Sequence, residues 1–184
     1  MVIFFYPGAN EQKEIRMDPA RIYRKCLLLI SLVVWGCASQ PVATVESGPA
    51  AASNRKVLVA TQNSKFKRAL VSEIHDELNQ NSIYMKIIDV KRLKNQSGAE
   101  FSAVVIINKC MAGRPDPRVE SFIDREPQKN KIIVLTTGIH DSWKPDAPGV
   151  DAMTSASVLD KSNQVAKSIV NRVLALINSK GPKP

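Results

Sequence analysis

The sequence predicts an α/β domain in which a parallel sheet of five strands lies between two layers of helix. Two observations lead there. Four short runs, Lys56 to Thr61, Tyr84 to Val90, Phe101 to Asn108 and Lys131 to Thr137, are largely apolar and lack strict polar alternation, as expected of strands covered on both faces. Segments with helical apolar spacing separate and follow them, so the two element types alternate along the chain.

Each element has its own signal. KVLVAT at 56–61 is a short apolar run. From Ser64 to Asn79, Phe66, Ala69, Leu70, Ile74 and Leu78 recur at helical spacing, with Asn63 or Ser64 available as N-cap. YMKIIDV at 84–90 reads as the second strand and FSAVVIIN at 101–108 as the third, the strongest of the set. Asp116-Pro117 places a capping residue and an N1 proline before Val119, Phe122 and Ile123, which predicts a short helix. KIIVLTT at 131–137 is the fourth strand, ended by Gly138, and a Pro-rich stretch runs from Ile139 to Gly149. Val150 to Ser155 offers a short fifth strand. Lys161 to Ser179 carries Val165, Ala166, Ile169, Val170, Val173, Leu176 and Ile177 on one helical face.

The amino-terminal third has a different character. Arg21, Arg24 and Lys25 precede an uncharged run from Cys26 to Trp35. This charged-then-apolar order is that of an export signal. The run is about half the roughly 20 residues a membrane-crossing helix needs. Val34-Trp35-Gly36-Cys37 resembles a bacterial lipobox, with Val34, Gly36 and Cys37 matching and Trp35 departing from the usual small or aliphatic residue. The resemblance implies that Cys37 is lipidated and becomes the first residue of the mature protein. An ordinary secretory signal with a chance cysteine is the competing reading. Ala38 follows Cys37 where the familiar inner-membrane retention signal has Asp, which implies an outer-membrane lipoprotein facing the periplasm. Stable anchoring takes more than one acyl chain, a condition a triacylated cysteine meets.

The expected organisation is therefore a start-site extension at 1–16, a signal peptide at 17–36, a flexible tether at 37–55 and one domain at 56–180. Met17 is the more natural start, because Glu11 and Glu14 precede the basic region. The tether is rich in Ala, Ser, Pro and Gly and has no hydrophobic period. Cys26 leaves with the signal, so Cys110 remains as a single thiol and the domain must rest on its apolar core. About 130 residues suffice for one such core.

The order of elements over residues 56–179 is similar to the flavodoxin-like family, especially in YMKIIDVKRLKNQSGAEFSAVVIIN…FIDREPQKNKIIVLTTG. That resemblance implies a three-layer sandwich with strand order 2-1-3-4-5, and FMN as a possible cofactor bound by loops at the carboxyl ends of the strands. The first loop, Thr61-Gln62-Asn63-Ser64-Lys65-Phe66, keeps the short polar residues Thr61, Asn63 and Ser64, with Lys65 and Lys67 adding positive charge. It lacks the expected glycine, which makes backbone approach to a phosphate harder. It reads either as a degenerate phosphate loop or as a capped turn into a helix. The loop after the third strand offers Gly113 and no aromatic residue. The loop after the fourth strand holds Trp143, which either stacks on a flavin or pins the Pro-rich loop. Val150 to Ser157 is similar to the motif for covalent FMN attachment at Asp151, Thr154 and Ala156, but Ser155 and Ser157 replace its glycine and acceptor threonine. A polar turn before the last helix explains the same residues.

Two functions follow as expectations: a membrane-tethered module for interaction or envelope maintenance, without a catalytic motif, and an FMN-binding redox lipoprotein. The chain has 26 Lys and Arg against 17 Asp and Glu, a net charge of +9, where flavodoxins are typically acidic. Basic residues are spread without aromatic interleaving, which argues against nucleic acid. Besides the bilayer at Cys37, the charges read either as a solubilising face or as a surface for an anionic ligand or envelope polymer. Two histidines and one free cysteine give no metal-ligand spacing, and the sequence does not indicate an oligomeric state.

Overall fold

The protein is represented by a computed structural model that describes residues 40–49, 55–111, 113–138 and 149–179. Cys37, the proposed signal peptide and Trp143 lie outside the described residues.

The elements in chain order are β1 (Val45–Ser47), β2 (Lys56–Thr61), α1 (Lys65–Gln80), β3 (Tyr84–Asp89), a 3-10 helix (Val90–Asn95), β4 (Ala103–Lys109), α2 (Pro117–Arg125), β5 (Ile132–Gly138), β6 (Asp151–Ala156) and α3 (Ser162–Ser179). They form one sheet of order β1-β3-β2-β4-β5-β6. The strands from β2 to β6 pair in parallel, and among them the order is the expected 2-1-3-4-5. The fold is α/β and flavodoxin-like.

The sheet has six strands where five were expected. The additional strand is β1, which pairs antiparallel with β3 through Val45–Ile87, Glu46–Lys86 and Ser47–Met85. It falls inside the 37–55 stretch read as a flexible spacer. Without β1, β3 would present a row of unpaired N–H and C=O groups at the sheet edge, and three residues of β1 supply partners. Gly48 ends this strand at φ +98, and a Cβ there would stand 2.6 Å from the Ile83 carbonyl oxygen. Only glycine allows that turn and that approach.

Strand alternation sorts the core into two layers. Val57, Val59, Val105, Ile107, Ile133 and Leu135 face α1 and α3. Leu58, Ala60, Val104, Ile106, Ile132 and Val134 face α2 and the 3-10 helix. Every one of these strand residues is fully buried, which is why their sequence runs show no polar alternation. Fixed ends complete the frame. Ser64 accepts from Lys67 N and caps α1, and Asp116 accepts from Arg118 N and caps α2, with Pro117 at the first turn. Below the sheet, Glu126 Oε1 accepts from Gly98 N at 2.9 Å, and Lys131 Nζ donates to the Gly98 and Phe101 carbonyls.

Several boundaries shift by one or two residues: the second strand stops at Asp89, where the 3-10 helix begins, the third runs Ala103–Lys109 and the fourth Ile132–Gly138. The fifth strand begins at Asp151 and continues through Ala156. The last helix begins at Ser162, because Leu159–Lys161 form a separate 3-10 turn. Among the described residues no helix is long and apolar enough to cross a membrane.

Candidate functional site

The carboxyl ends of β2, β4 and β5 meet at one edge of the sheet, where the order reverses between β2 and its two neighbours. A crevice outside such a switch point is the usual ligand position in open α/β sheets. Here it is built around Gln62, the first residue after β2. Gln62 Nε2 donates to Asp116 Oδ2 at 2.9 Å. Gln62 Oε1 accepts from Lys67 Nζ at 2.9 Å and from Lys109 N at 3.0 Å. One side chain thus ties the start of α1, the end of β4 and the cap of α2.

Each partner is held in turn. Asp116 is fully buried and receives Arg118 Nε on Oδ1 at 2.8 Å and Nη2 on Oδ2 at 2.6 Å. The Arg118 hydrogen bonds keep its carboxyl below the usual carboxylate range, although burial acts the other way. Asn108 is fully buried. Its Oδ1 accepts from Asp116 N, its Nδ2 donates to Leu135 O and Thr136 Oγ1, and its carbonyl accepts from Thr137 Oγ1. The ends of β4 and β5 are thereby cross-linked. Lys67 is 4% exposed, and its ammonium is pushed down to about 8, first by burial and then by Lys109, with Asp116 opposing.

The residues expected at the site behave differently from one another. Thr61 is buried at the end of β2, and its hydroxyl donates to the Gln62 carbonyl. Ser64 is consumed in capping α1. Asn63 turns outward: its Nδ2 donates to Gln40 O, and its Oδ1 accepts from Arg68 Nη1 at 2.6 Å. Lys65 is exposed at the first helical position, and Lys67 is the residue that enters the crevice. Gly113 adopts φ +77 in an open turn, with nothing within 4 Å of a would-be Cβ. Cys110 is a free thiol of intermediate exposure. Asp151, Thr154 and Ala156, the residues matching a covalent flavin motif, are strand residues of β6, and Asp151 pairs with Arg172 of α3.

Gln62 and Asp116 were not singled out from the sequence as site residues. Gln62 reads as one more polar loop residue and Asp116 as a helix cap. They are 54 positions apart, so no local pattern pairs them. Among the described residues no group of three His, Cys, Asp or Glu side chains could hold a metal ion.

A cavity of about 450 Å³ lies between the segment preceding β2 and α1 and shares Thr61, Gln62, Asn63 and Lys67 with the crevice. Its walls include Val42, Val45, Val71 and Ile87, and Lys67, Arg68 and His75 also line it.

No family model and no curated protein matches the chain. Solved structures do. The Flv1 flavodiiron core from Synechocystis sp. PCC6803 is similar over 86% of this chain and 42% of that one, at 10% identity and TM-score 0.50. An oxidoreductase from Corynebacterium diphtheriae is similar over 70% of this chain and all of that one, at 10% identity and TM-score 0.49. A flavodoxin from the domain Archaea is similar over 65% of this chain and 99% of that one, at 13% identity and TM-score 0.42. At these identities the likeness is one of fold.

FMN is the cofactor expected from the sequence resemblance, and the residues of the crevice test that expectation. A phosphate at the end of β2 needs free donors there. The Lys67 ammonium and the Lys109 N–H both point at Gln62 Oε1, and the buried Asp116 carboxylate stands on the far side of the same amide. The first loop has no glycine to let a phosphate reach the backbone. This arrangement does not fit the FMN phosphate.

Proposed function

We propose that the chain is a tethered binding module of the cell envelope, anchored through acylated Cys37 at the outer membrane and facing the periplasm, and that it works without flavin. The observation carrying this reading is the Gln62 amide, which takes the donors a phosphate would use. The lipobox-like Val34-Trp35-Gly36-Cys37 supports the anchor, and the net charge of +7 from Cys37 onward, 21 Lys and Arg against 14 Asp and Glu, suits an anionic ligand or envelope polymer.

The second reading is an FMN-binding redox lipoprotein. The position of the crevice at the switch point favours it, as do Lys67 and Lys109 at its edge. It requires Gln62 to leave both.

Absorbance separates the two. The purified protein is expected to lack flavin bands and, on titration with FMN, to leave FMN fluorescence unquenched. A yellow protein with one flavin per chain would overturn the flavin-free reading.

A further inference from the structure

The segment before β2 is fastened as an arm across the sheet edge. Val42 N donates to Asp89 Oδ2 at 2.9 Å, Gln40 O accepts from Asn63 Nδ2, Arg92 donates to Thr44 Oγ1, and β1 pairs with β3. Between this arm and α1 lies the cavity of about 450 Å³, within the size range of small-molecule sites. Its apolar wall is aliphatic: Val42 and Val45 from the arm, Val71 from α1 and Ile87 from β3. Among the described residues no Phe, Tyr or Trp side chain lines it, and its ring is the His75 imidazole. Among the described residues its charged lining is Lys67 and Arg68, joined by His75, with no carboxylate.

We propose that this cavity binds a single-chain fatty carboxylate, with the acyl chain along Val42, Val45, Val71 and Ile87 and the carboxylate at Arg68 and Lys67. Aliphatic walls take the chain through burial of apolar surface. The Arg68 guanidinium is exposed on α1 and holds one Asn63 oxygen, leaving further donors for a carboxylate. Lys67 also lines the cavity; its ammonium donates to Gln62 and has further N–H groups.

Chain length places this site near lipid. Cys37 to Val42 is five residues, which span at most about 18 Å. With Cys37 acylated, Val42 cannot stand farther than that from the anchoring residue. The proposal deepens the tethered-module reading and in this respect rests on it: the domain would hold a lipid-derived anion at the membrane it is anchored to.

The test is a calorimetric titration of the full chain carrying Cys37→Ser, purified without detergent, with sodium decanoate below its micellar range. One saturable site is expected, with decyltrimethylammonium at least tenfold weaker. Arg68→Glu, on the exposed side of α1, should weaken decanoate at least tenfold by charge reversal. Val71→Trp should fill the cavity and abolish binding. Should that variant fail to fold, Ala43→Trp on the exposed arm obstructs the same space from the opposite wall. Absence of a saturable site, equal affinity for the cationic amphiphile, or unchanged affinity in Arg68→Glu would each overturn the proposal. Membrane fractionation of the unaltered chain reads the anchor separately. Decanoate binding by a chain that is not membrane-bound keeps the cavity and removes the tether. An anchored chain without decanoate binding removes the cavity alone.

Discussion

Gln62 donates from Nε2 to Asp116 Oδ2 at 2.9 Å, joining the loop after β2 to the cap of α2. The bond fills with protein the crevice where the flavodoxin-like arrangement would place a phosphate. Because Asp116 is also gripped by Arg118, the amide of Gln62 has a fixed acceptor, and its oxygen is aimed at Lys67 and Lys109.

Gln62→Ala should therefore release two donors at once. The variant is expected to gain thermal stability from millimolar phosphate, while the unaltered protein gains none. Differential scanning calorimetry with and without phosphate reads this. Equal responses would mean that the amide does not block the crevice.

Lys67 makes stability depend on pH in the alkaline range. Its folded value of about 8 lies below the ordinary 10.5. Between those values the unfolded chain holds the proton and the folded chain has released it, so stability rises with pH across that window. The gap corresponds to on the order of 3 kcal/mol. Denaturant unfolding from pH 7.5 to 10.5 should show the rise. In Lys67→Met, where Gln62 Oε1 still receives Lys109 N, it should disappear.

Asp116 acts in the opposite direction. Arg118 holds its carboxyl below the usual range, so its contribution is present above about pH 3.9 and is lost as pH falls through the folded value. Asp116→Asn keeps a capping oxygen but cannot receive both guanidinium N–H groups as a carboxylate does. Because Arg118 is 43% exposed, solvent screening limits the loss, which should be about 1–2 kcal/mol at neutral pH. The variant's acid-unfolding curve should be shallower than that of the unaltered protein.

Gly48→Ala should detach the arm. A Cβ would meet Ile83 O at 2.6 Å in a backbone with φ +98, a strained combination costing about 1–3 kcal/mol. Amide exchange at Val45 to Ser47 should accelerate, while Val104 to Ile107 in the central strand stays protected. Unchanged exchange in β1 would mean that the arm does not depend on this turn.

Cys37→Ser tests the anchor. The unaltered chain should remain with membranes through a high-salt wash and the variant should not. Retention of the variant would remove the lipoprotein reading.

The alternation of strands and helices, the strand residues buried on both faces, and the caps at Ser64 and Asp116 are all readable from the amino-acid order. These are legible because apolar periodicity and capping act over a few neighbouring residues. The sequence also carried the order of the five parallel strands, through their resemblance to a known arrangement. Three features arise from contacts between distant segments. Val45 to Ser47 became a strand because the edge of β3, some forty positions away, was open to pairing, whereas the segment alone shows only a spacer's composition. Gln62 became the centre of the crevice because folding carried Asp116 and Lys109 to it, while the expected Asn63 turned toward Gln40. The aliphatic cavity with its basic rim exists because the arm closes over α1 and Ile87. Each depends on contacts between distant segments, and such contacts leave no local period in a sequence.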